Sequence, residues 1–547
     1  MEGFTPYPKE LADEYILKGI WWGMTIIDLL DRATATHPEG EALVEENARL
    51  TYAQLNERVN RLALAFLELG IQKGDSVVIQ LPNQAEFAYT YLALQKIGAI
   101  TVMAIPRHGL KEIDFFLQLS RAVAWVVPTK LRKIDYSEMM RVIRFKFPYL
   151  KVIVVGEPVP RGAFSFEKIM DEVQEEKYPP QYLEKFKPDP DDVTHLMPTG
   201  GTTGLPKLVP RTHNSYICNA RFYAETIRLS PSTIDLVVIP LGHNAGLLHF
   251  VSGILAGGKI VLCPSTRPED ILRYIEQERA TWIGTVPTIL IDLLRAPGLE
   301  RRALSSLEFI QCGAAHVPAE LAKEVLDRVG CKFVNAFGMA EGLLTRTRLG
   351  DSREVATGTV GTPQCPYDEF KIIDDEREVP QGQEGELACR GPGIFTGYYK
   401  AKKTNRKVFT QDGFFHTGDL AKFDSQGHII ITGRKKDIII RGGENISATE
   451  VEELIVSHPD IIEAAVVGMP DARLGEKVCA YIKAAEGKSI SLEEVVTFLK
   501  QQGASVLLLP ERIESVSELP LTLVGKINKN VLRADIARKL EDENKAN

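Results

Sequence analysis

Residues 199–207 read Thr-Gly-Gly-Thr-Thr-Gly-Leu-Pro-Lys and follow a segment patterned as a β-strand. Gly200, Gly201 and Gly204 let the backbone turn its N–H groups toward an anion, Thr199, Thr202 and Thr203 add hydroxyl donors, and Lys207 supplies positive charge. Together they make a phosphate cradle. This is not the nucleotide loop of P-loop enzymes, because Pro206 stands where a glycine must precede the lysine and Leu208 replaces the hydroxyl residue that would meet magnesium. Taken alone, the segment also reads as an ordinary Gly/Thr-rich surface loop.

Four more segments carry groups suited to nucleotide chemistry: Phe337-Gly338-Met339-Ala340-Glu341-Gly342, His416-Thr417-Gly418-Asp419, Gly433-Arg434-Lys435-Lys436-Asp437, and Leu519-Pro520-Leu521-Thr522 followed by Gly525-Lys526-Ile527. One at a time, an acidic residue after a strand is a solvated side chain and a Gly-Lys pair near an end is a turn. In this order, spread over more than 300 residues, they resemble the motifs of the adenylate-forming superfamily, which includes acyl-CoA synthetases, peptide-synthetase adenylation domains and luciferases. The resemblance covers essentially the whole chain. It implies an ATP- and magnesium-dependent ligase in which Lys526, Glu341 and His243 form the catalytic set and Glu341 holds the metal. It also implies that residues 199–207 hold the departing pyrophosphate. Asp419 and Arg434 would fix the ribose, and Gly313-Ala314-Ala315 with Phe337-Gly338-Met339 would pack against adenine. Lys436 would be the hinge about which a small domain rotates between the half-reactions, bringing Gly442, Gly443 and Glu444 to a pantetheine tunnel. A tight turn between strand and helix is the other reading of Arg441–Asn445.

Within the superfamily the segments GFTPYPKELADEY, PKLVPRTH, FGMAEGLLTRTRL and CPYDEFKIID are similar to those of stand-alone aryl-acid ligases of the 2,3-dihydroxybenzoate-AMP type. The run His243-Asn244-Ala245-Gly246-Leu247-Leu248-His249 departs from that group, being shorter and lacking its two serines. It resembles instead the His-x-x-Gly-hydrophobic run of acyl- and aryl-CoA synthetases, where the histidine gates the substrate carboxylate. His243 is therefore a site candidate, and His249 reads as a core histidine. With Asn244, Leu247, Leu248, Gly338 and Leu344 as lining, the pocket is expected to favour an apolar aryl or alicyclic acid, since buried polar groups on a ligand need partners. The acceptor is expected from outside the chain: coenzyme A, or phosphopantetheine on a separate carrier protein. A dihydroxybenzoate or salicylate ligase of siderophore synthesis is the alternative, and a non-catalytic nucleotide-binding protein is another of a different class.

The elements that position these groups follow from periodicity. Apolar residues recur at helical spacing from Tyr52 to Leu69 and give way to a β-rich run in GIQKGDSVVIQLPN; the pattern returns at residues 85–105, 268–287 and 319–338. Such alternation predicts layered α/β architecture with mainly parallel sheets. From about 345 to 435 short strands between glycines and charged turns predict a small β-rich, barrel-like lobe, completing a core of residues 1–435, and residues 436–547 read as a mobile α+β domain. Length 547 fits roughly three to four domain-sized units. The net charge of −8 disfavours a general nucleic-acid surface. Seven scattered cysteines with no C-x-x-C pair read as reduced thiols of a cytoplasmic protein. The acidic, proline-containing start is unlike a secretion signal, and the apolar stretch 245–258 is too short for a membrane span. A monomer or homodimer is expected.

Overall fold

A computed structural model describes residues 1–199, 206–523 and 525–546. Its helix-then-strand units form where the periodicity places them. Thr51 caps the helix Tyr52–Glu68 by accepting from Gln54 N, and the Gln54 side chain accepts from Thr51 N in return, at 3.2 and 3.0 Å. That helix buries Leu55, Val59, Leu62 and Phe66 and leads to the fully buried strand Ser76–Ile79. The same succession recurs in Ala85–Lys96 with Ile100–Met103, in Pro268–Glu278 with Trp282–Thr285, and from Ala319 into Lys332–Gly338.

Two large sheets result. The nine-stranded sheet runs Thr362–Pro363, Leu344–Arg346, Lys332–Gly338, Phe309–Gly313, Trp282–Thr285, Ile234–Val237, Lys259–Leu262, Glu41–Glu45, Ala48–Thr51, parallel from Lys332–Gly338 through Glu41–Glu45. In the seven-stranded sheet the order is Leu208–Thr212, Val193–Pro198, Ile100–Met103, Ser76–Ile79, Ala124–Pro128, Lys151–Val155, Phe164–Ser165, and only the first pair is antiparallel. Helices Tyr52–Glu68, Ala85–Lys96, His213–Ile227 and Asn244–Ala256 fill the space between the sheets. There Val77, Ile79 and Val126 of one sheet share a core with Val237, Trp282 and Val334 of the other. Further helices cover both outer faces. Burying both faces explains why these strands are near-continuous apolar runs.

The β-rich lobe is an antiparallel sheet of five strands, Arg377–Glu378, Glu369–Asp374, Gly385–Arg390, Phe415–Phe423 and Ile429–Arg434. Its path is open rather than closed into a barrel among the described residues. One turn, Lys435–Asp437, then carries the chain into a separate sheet of Glu444–Ser447, Ile438–Arg441, Gly475–Ala484 and Ile461–Asp471, which Arg512–Ser515 joins in parallel. Helices Ala448–Val456 and Leu492–Gln501 share the core of this last unit, and Leu532 and Ile536 of the terminal helix pack on its other face. All seven cysteines are free and buried, and among the described residues no helix is long and apolar enough to cross a membrane.

Candidate active site

Open α/β sheets bind ligands outside the carboxyl ends of their parallel strands. At that edge of the nine-stranded sheet Phe309–Gly313 ends in Ala314, whose φ of +65° is left-handed. Gly313 is required by close approach: a Cβ there would lie 2.3 Å from Ala336 O. On the neighbouring strand a Cβ at Gly338 would meet Leu344 at 2.6 Å, and Phe337, Gly338 and Met339 are half-buried at the lip of the same edge. The strip 313–315 and the segment 337–339 therefore lie side by side, as the register Gly313↔Ala336 requires.

Glu341 sits in the turn that follows. Its backbone oxygen accepts from Phe395 N at 2.7 Å and its carboxylate from the Tyr398 hydroxyl at 2.6 Å, and the residue is 7% exposed. Burial and the adjoining Glu341 push the Tyr398 hydroxyl pKa up, keeping it a donor. Lys207 Nζ lies 4.6 Å from the Tyr398 ring centroid, which ties the end of the 199–207 loop to Glu341. Thr199 and Lys207 close the base of that loop, Thr199 N donating to Lys207 O at 2.9 Å and Lys207 N to Thr199 Oγ1 at 3.2 Å. Gly200, Gly201, Thr202, Thr203 and Gly204 lie outside the described residues. The fully buried Arg211 donates to Ala340 O and Gly393 O at 3.2 and 2.7 Å, stapling the Glu341 turn to the segment that carries Tyr398.

Asp419 is 2% exposed on the strand Phe415–Phe423 and accepts from Arg434 Nε at 2.5 Å across the strand pair that places the two opposite one another. Burial raises the Asp419 pKa, and Arg434 opposes that shift. Glu386 holds the 416–418 turn, accepting from Gly418 N at 2.9 Å while its second oxygen meets His416 Nδ1 and Lys435 Nζ at 3.0 and 2.8 Å.

Lys526 reaches this group from the last unit. Its loop is a small hairpin: Thr522 N donates to Lys526 O at 2.6 Å, Lys526 N to Thr522 Oγ1 at 3.1 Å, and Leu521 bridges to Ile527. Gly525, at φ +83°, makes the turn. Burial lowers the Lys526 pKa to about 8; Arg434 and Lys436 push the same way, and Asp419 and Glu341 oppose them. One ammonium is thus within electrostatic range of Arg434, Lys436, Asp419 and Glu341 together. His243 is within electrostatic range as well: burial, with the Lys526 charge in addition, pushes its imidazole down to about 4. It caps the helix Asn244–Ala256, its Nδ1 accepting from Ala245 N at 3.3 Å, so the ring is neutral and its Nε2 is left for another partner. Asn244 donates to Met339 O at 3.4 Å, and Leu247 and Leu248 are packed in the central core with Leu344.

Lys436 lies in the connecting turn, where Arg533 donates to its carbonyl at 3.4 Å and to Asp437 at 2.7 Å. Gly442 and Gly443, at φ +61° and +94°, form an exposed hairpin turn between two strands, with Glu444 opening the second. Among the described residues no three His, Cys, Asp or Glu side chains converge as a metal site. Glu341 fits magnesium in the other manner such ions use, one carboxylate with the remaining positions supplied by substrate phosphates and water. Sequence reading missed Tyr398, Glu386 and Arg211. The aromatic pair in Gly397-Tyr398-Tyr399-Lys400, after a glycine-rich run, was the one local signal for the first.

Residues 30–399 match the family model described as AMP-binding enzyme, and residues 450–526 match the AMP-binding enzyme C-terminal domain. The chain belongs to the AMP-binding enzyme family. A 2,3-dihydroxybenzoate-AMP ligase of Bacillus subtilis (strain 168) is 40% identical over 99% of both chains. A Streptomyces sp. salicylyl-CoA synthase / salicylate adenylyltransferase is 36% identical over 98% of both. The solved anthranilate CoA ligase AuaEII with anthranoyl-AMP superimposes with a TM-score of 0.86 at 25% identity, covering 95% of this chain and 98% of that one. This AMP-binding enzyme is accordingly an AMP-forming carboxylic acid ligase of the adenylate-forming superfamily, similar to the aryl-acid AMP ligases, and it uses ATP.

Proposed function

We propose that the enzyme joins a cyclic carboxylic acid, aryl or alicyclic, to AMP with release of pyrophosphate, and then transfers the acyl group to the pantetheine thiol of coenzyme A. The observation that carries this reading is the meeting of charges at Lys526, whose ammonium is within electrostatic range of Arg434, Asp419, Glu341 and His243, with Asp419 and Arg434 paired across one strand pair. In the first step a carboxylate oxygen forms a bond to the α-phosphorus as the bond to pyrophosphate breaks. Charge spreads over phosphoryl oxygens, so positioning and fixed positive charge do the work and no side-chain nucleophile is required. Lys526 bridges the carboxylate and the α-phosphate, residues 199–207 hold the pyrophosphate, Asp419 and Arg434 orient the ribose, and Glu341 holds magnesium, which neutralises phosphate charge when bound. Gly313–Ala315 and Phe337–Met339 flank the adenine.

In the second step the thiol sulfur bonds to the acyl carbon and AMP departs. Lys436 is the hinge on which residues 436–547 rotate against 1–435, withdrawing Lys526 and presenting Gly442, Gly443 and Glu444 to the thiol arm. We place the enzyme in the cytoplasm, where its seven free cysteines stay reduced, as a monomer or homodimer. The second reading, 2,3-dihydroxybenzoate or salicylate loaded onto a carrier protein, draws on the dihydroxybenzoate- and salicylate-directed relatives. ATP–pyrophosphate exchange against an acid library, followed by thioester assays with coenzyme A and with a carrier protein, tests both. Exchange with a benzoate- or cyclohexane-type acid and thioester with coenzyme A is expected. Silence across the library returns the chain to nucleotide binding without catalysis.

A further inference from the structure

The register of the nine-stranded sheet puts Gly313, Ala336 and Arg346 on one rung and Gly284, Gln311 and Val334 on another, two residues deeper along the strands. These side chains share the face that looks toward the helix Asn244–Ala256, as the membership of Val334 and Leu344 in the central core requires. Gly313, Ala336 and Gly338 are small. His243, Ala336 and Gly338 are half-buried, so the small-residue end of this face comes up beside the site.

Deeper along this face lie polar side chains. Arg346, 2% exposed, donates to Gln311 Oε1 at 3.0 Å, and its guanidinium lies 3.7 Å from the centroid of Tyr223. The Tyr223 hydroxyl donates to the same Gln311 oxygen at 3.2 Å. Arg346 Nε has no hydrogen-bond partner, and among the described residues no carboxylate forms an ion pair with this guanidinium. Burial works against its charge, and Tyr223 opposes that effect. Next to His243, Asn244, 6% exposed, has an unpartnered Oδ1. Deeper along the same face, the His249 ring fills the space over Gly284, where a Cβ would lie 1.9 Å from it.

A buried arginine with no carboxylate paired to it is costly and becomes favourable when a ligand supplies an acceptor. We propose that Arg346, with Gln311 and Tyr223, is a specificity subsite for an oxygen acceptor that the acid carries on the part of its ring remote from the reacting carboxylate. The acceptor is a ring hydroxyl, an oxo group or a second carboxylate. This inference rests on the acid-activating reading above and sharpens its substrate class. It also replaces the apolar pocket expected from the serine-free run after His243, because the polar groups come from a different strand and helix.

The test is ATP–pyrophosphate exchange with benzoate and cyclohexanecarboxylate against their 3- and 4-hydroxy, 4-oxo and 1,4-dicarboxylate counterparts. The wild type is expected to favour at least one oxygenated acid over its parent by 100-fold or more in kcat/KM, and the preferred member distinguishes the three acceptors. Arg346→Met should lower kcat/KM for that acid by about 100-fold, chiefly through KM, and leave the parent acid unchanged or improved. Arg346→Lys should recover part of the loss. Tyr223→Phe, which removes a single hydroxyl, should shift selectivity in the same direction by about threefold to tenfold, and it decides the question if Arg346→Met does not fold. A wild type that prefers the parent acids, or variants that lose all acids alike, overturns the subsite. A wild type that exchanges with no acid overturns the acid-activating reading instead.

Discussion

Replacing Lys526 by alanine separates the two half-reactions. The ammonium has its pKa lowered to about 8 from 10.5 by burial, with Arg434 adding to the effect, a difference that corresponds to roughly 3 kcal/mol. Losing one preorganised charge-stabilising donor costs about 2.7–4 kcal/mol in comparable transition states, so ATP–pyrophosphate exchange should fall about 10²–10³-fold. Thioester formation from supplied acyl-AMP should change less than about threefold, since the proposed rotation withdraws Lys526 from the site for that step. The charged form acts, so exchange in the wild type should be level below pH 8 and decline as pH rises through about 8, and the alanine variant should lack that limb. Stability runs the other way. The folded pKa lies below the unfolded one, so the unfolded chain holds more protons between about 8 and 10.5, and this residue's destabilisation is relieved across that window. Radiometric exchange and thioester assays over pH 6–10 measure both. Equal loss of the two half-reactions in the variant, or an unchanged alkaline limb, refutes the assignment.

Tyr398→Phe removes the 2.6 Å bond to the Glu341 carboxylate; hydrogen bonds to charged groups contribute about 1.5–3 kcal/mol, so adenylation should drop about tenfold or more and require more magnesium, which a metal titration reads directly. Lys436→Pro keeps the helical φ of the one-turn connection and restricts rotation there, so exchange should persist while thioester formation slows more than about tenfold; equal rates in both would exclude the hinge. Gly284→Ala drives a methyl to within 1.9 Å of the His249 ring. Overpacking of this kind costs about 1–3 kcal/mol, visible as a lowered midpoint in thermal melts, and an unshifted melt would mean the helix yields.

Sequence alone determined the parts that depend on near neighbours. The capping pair Thr51 and Gln54, the helix-to-strand alternation and the Gly-Lys turn at 525–526 are all written within a few residues, because helix and strand periods and turn chemistry are local properties. The order of motifs carried the family for the same reason. Tertiary structure decided what lies beside them. Tyr398 meets Glu341 across 57 positions and Gln311 meets Arg346 across 35, pairings set by strand order and register that no local pattern encodes. The run after His243 was legible as apolar, and Leu247 and Leu248 do pack in the core. Its polar counterpart was not legible, since Arg346 joins that face only when the strand Leu344–Arg346 folds back beside Lys332–Gly338.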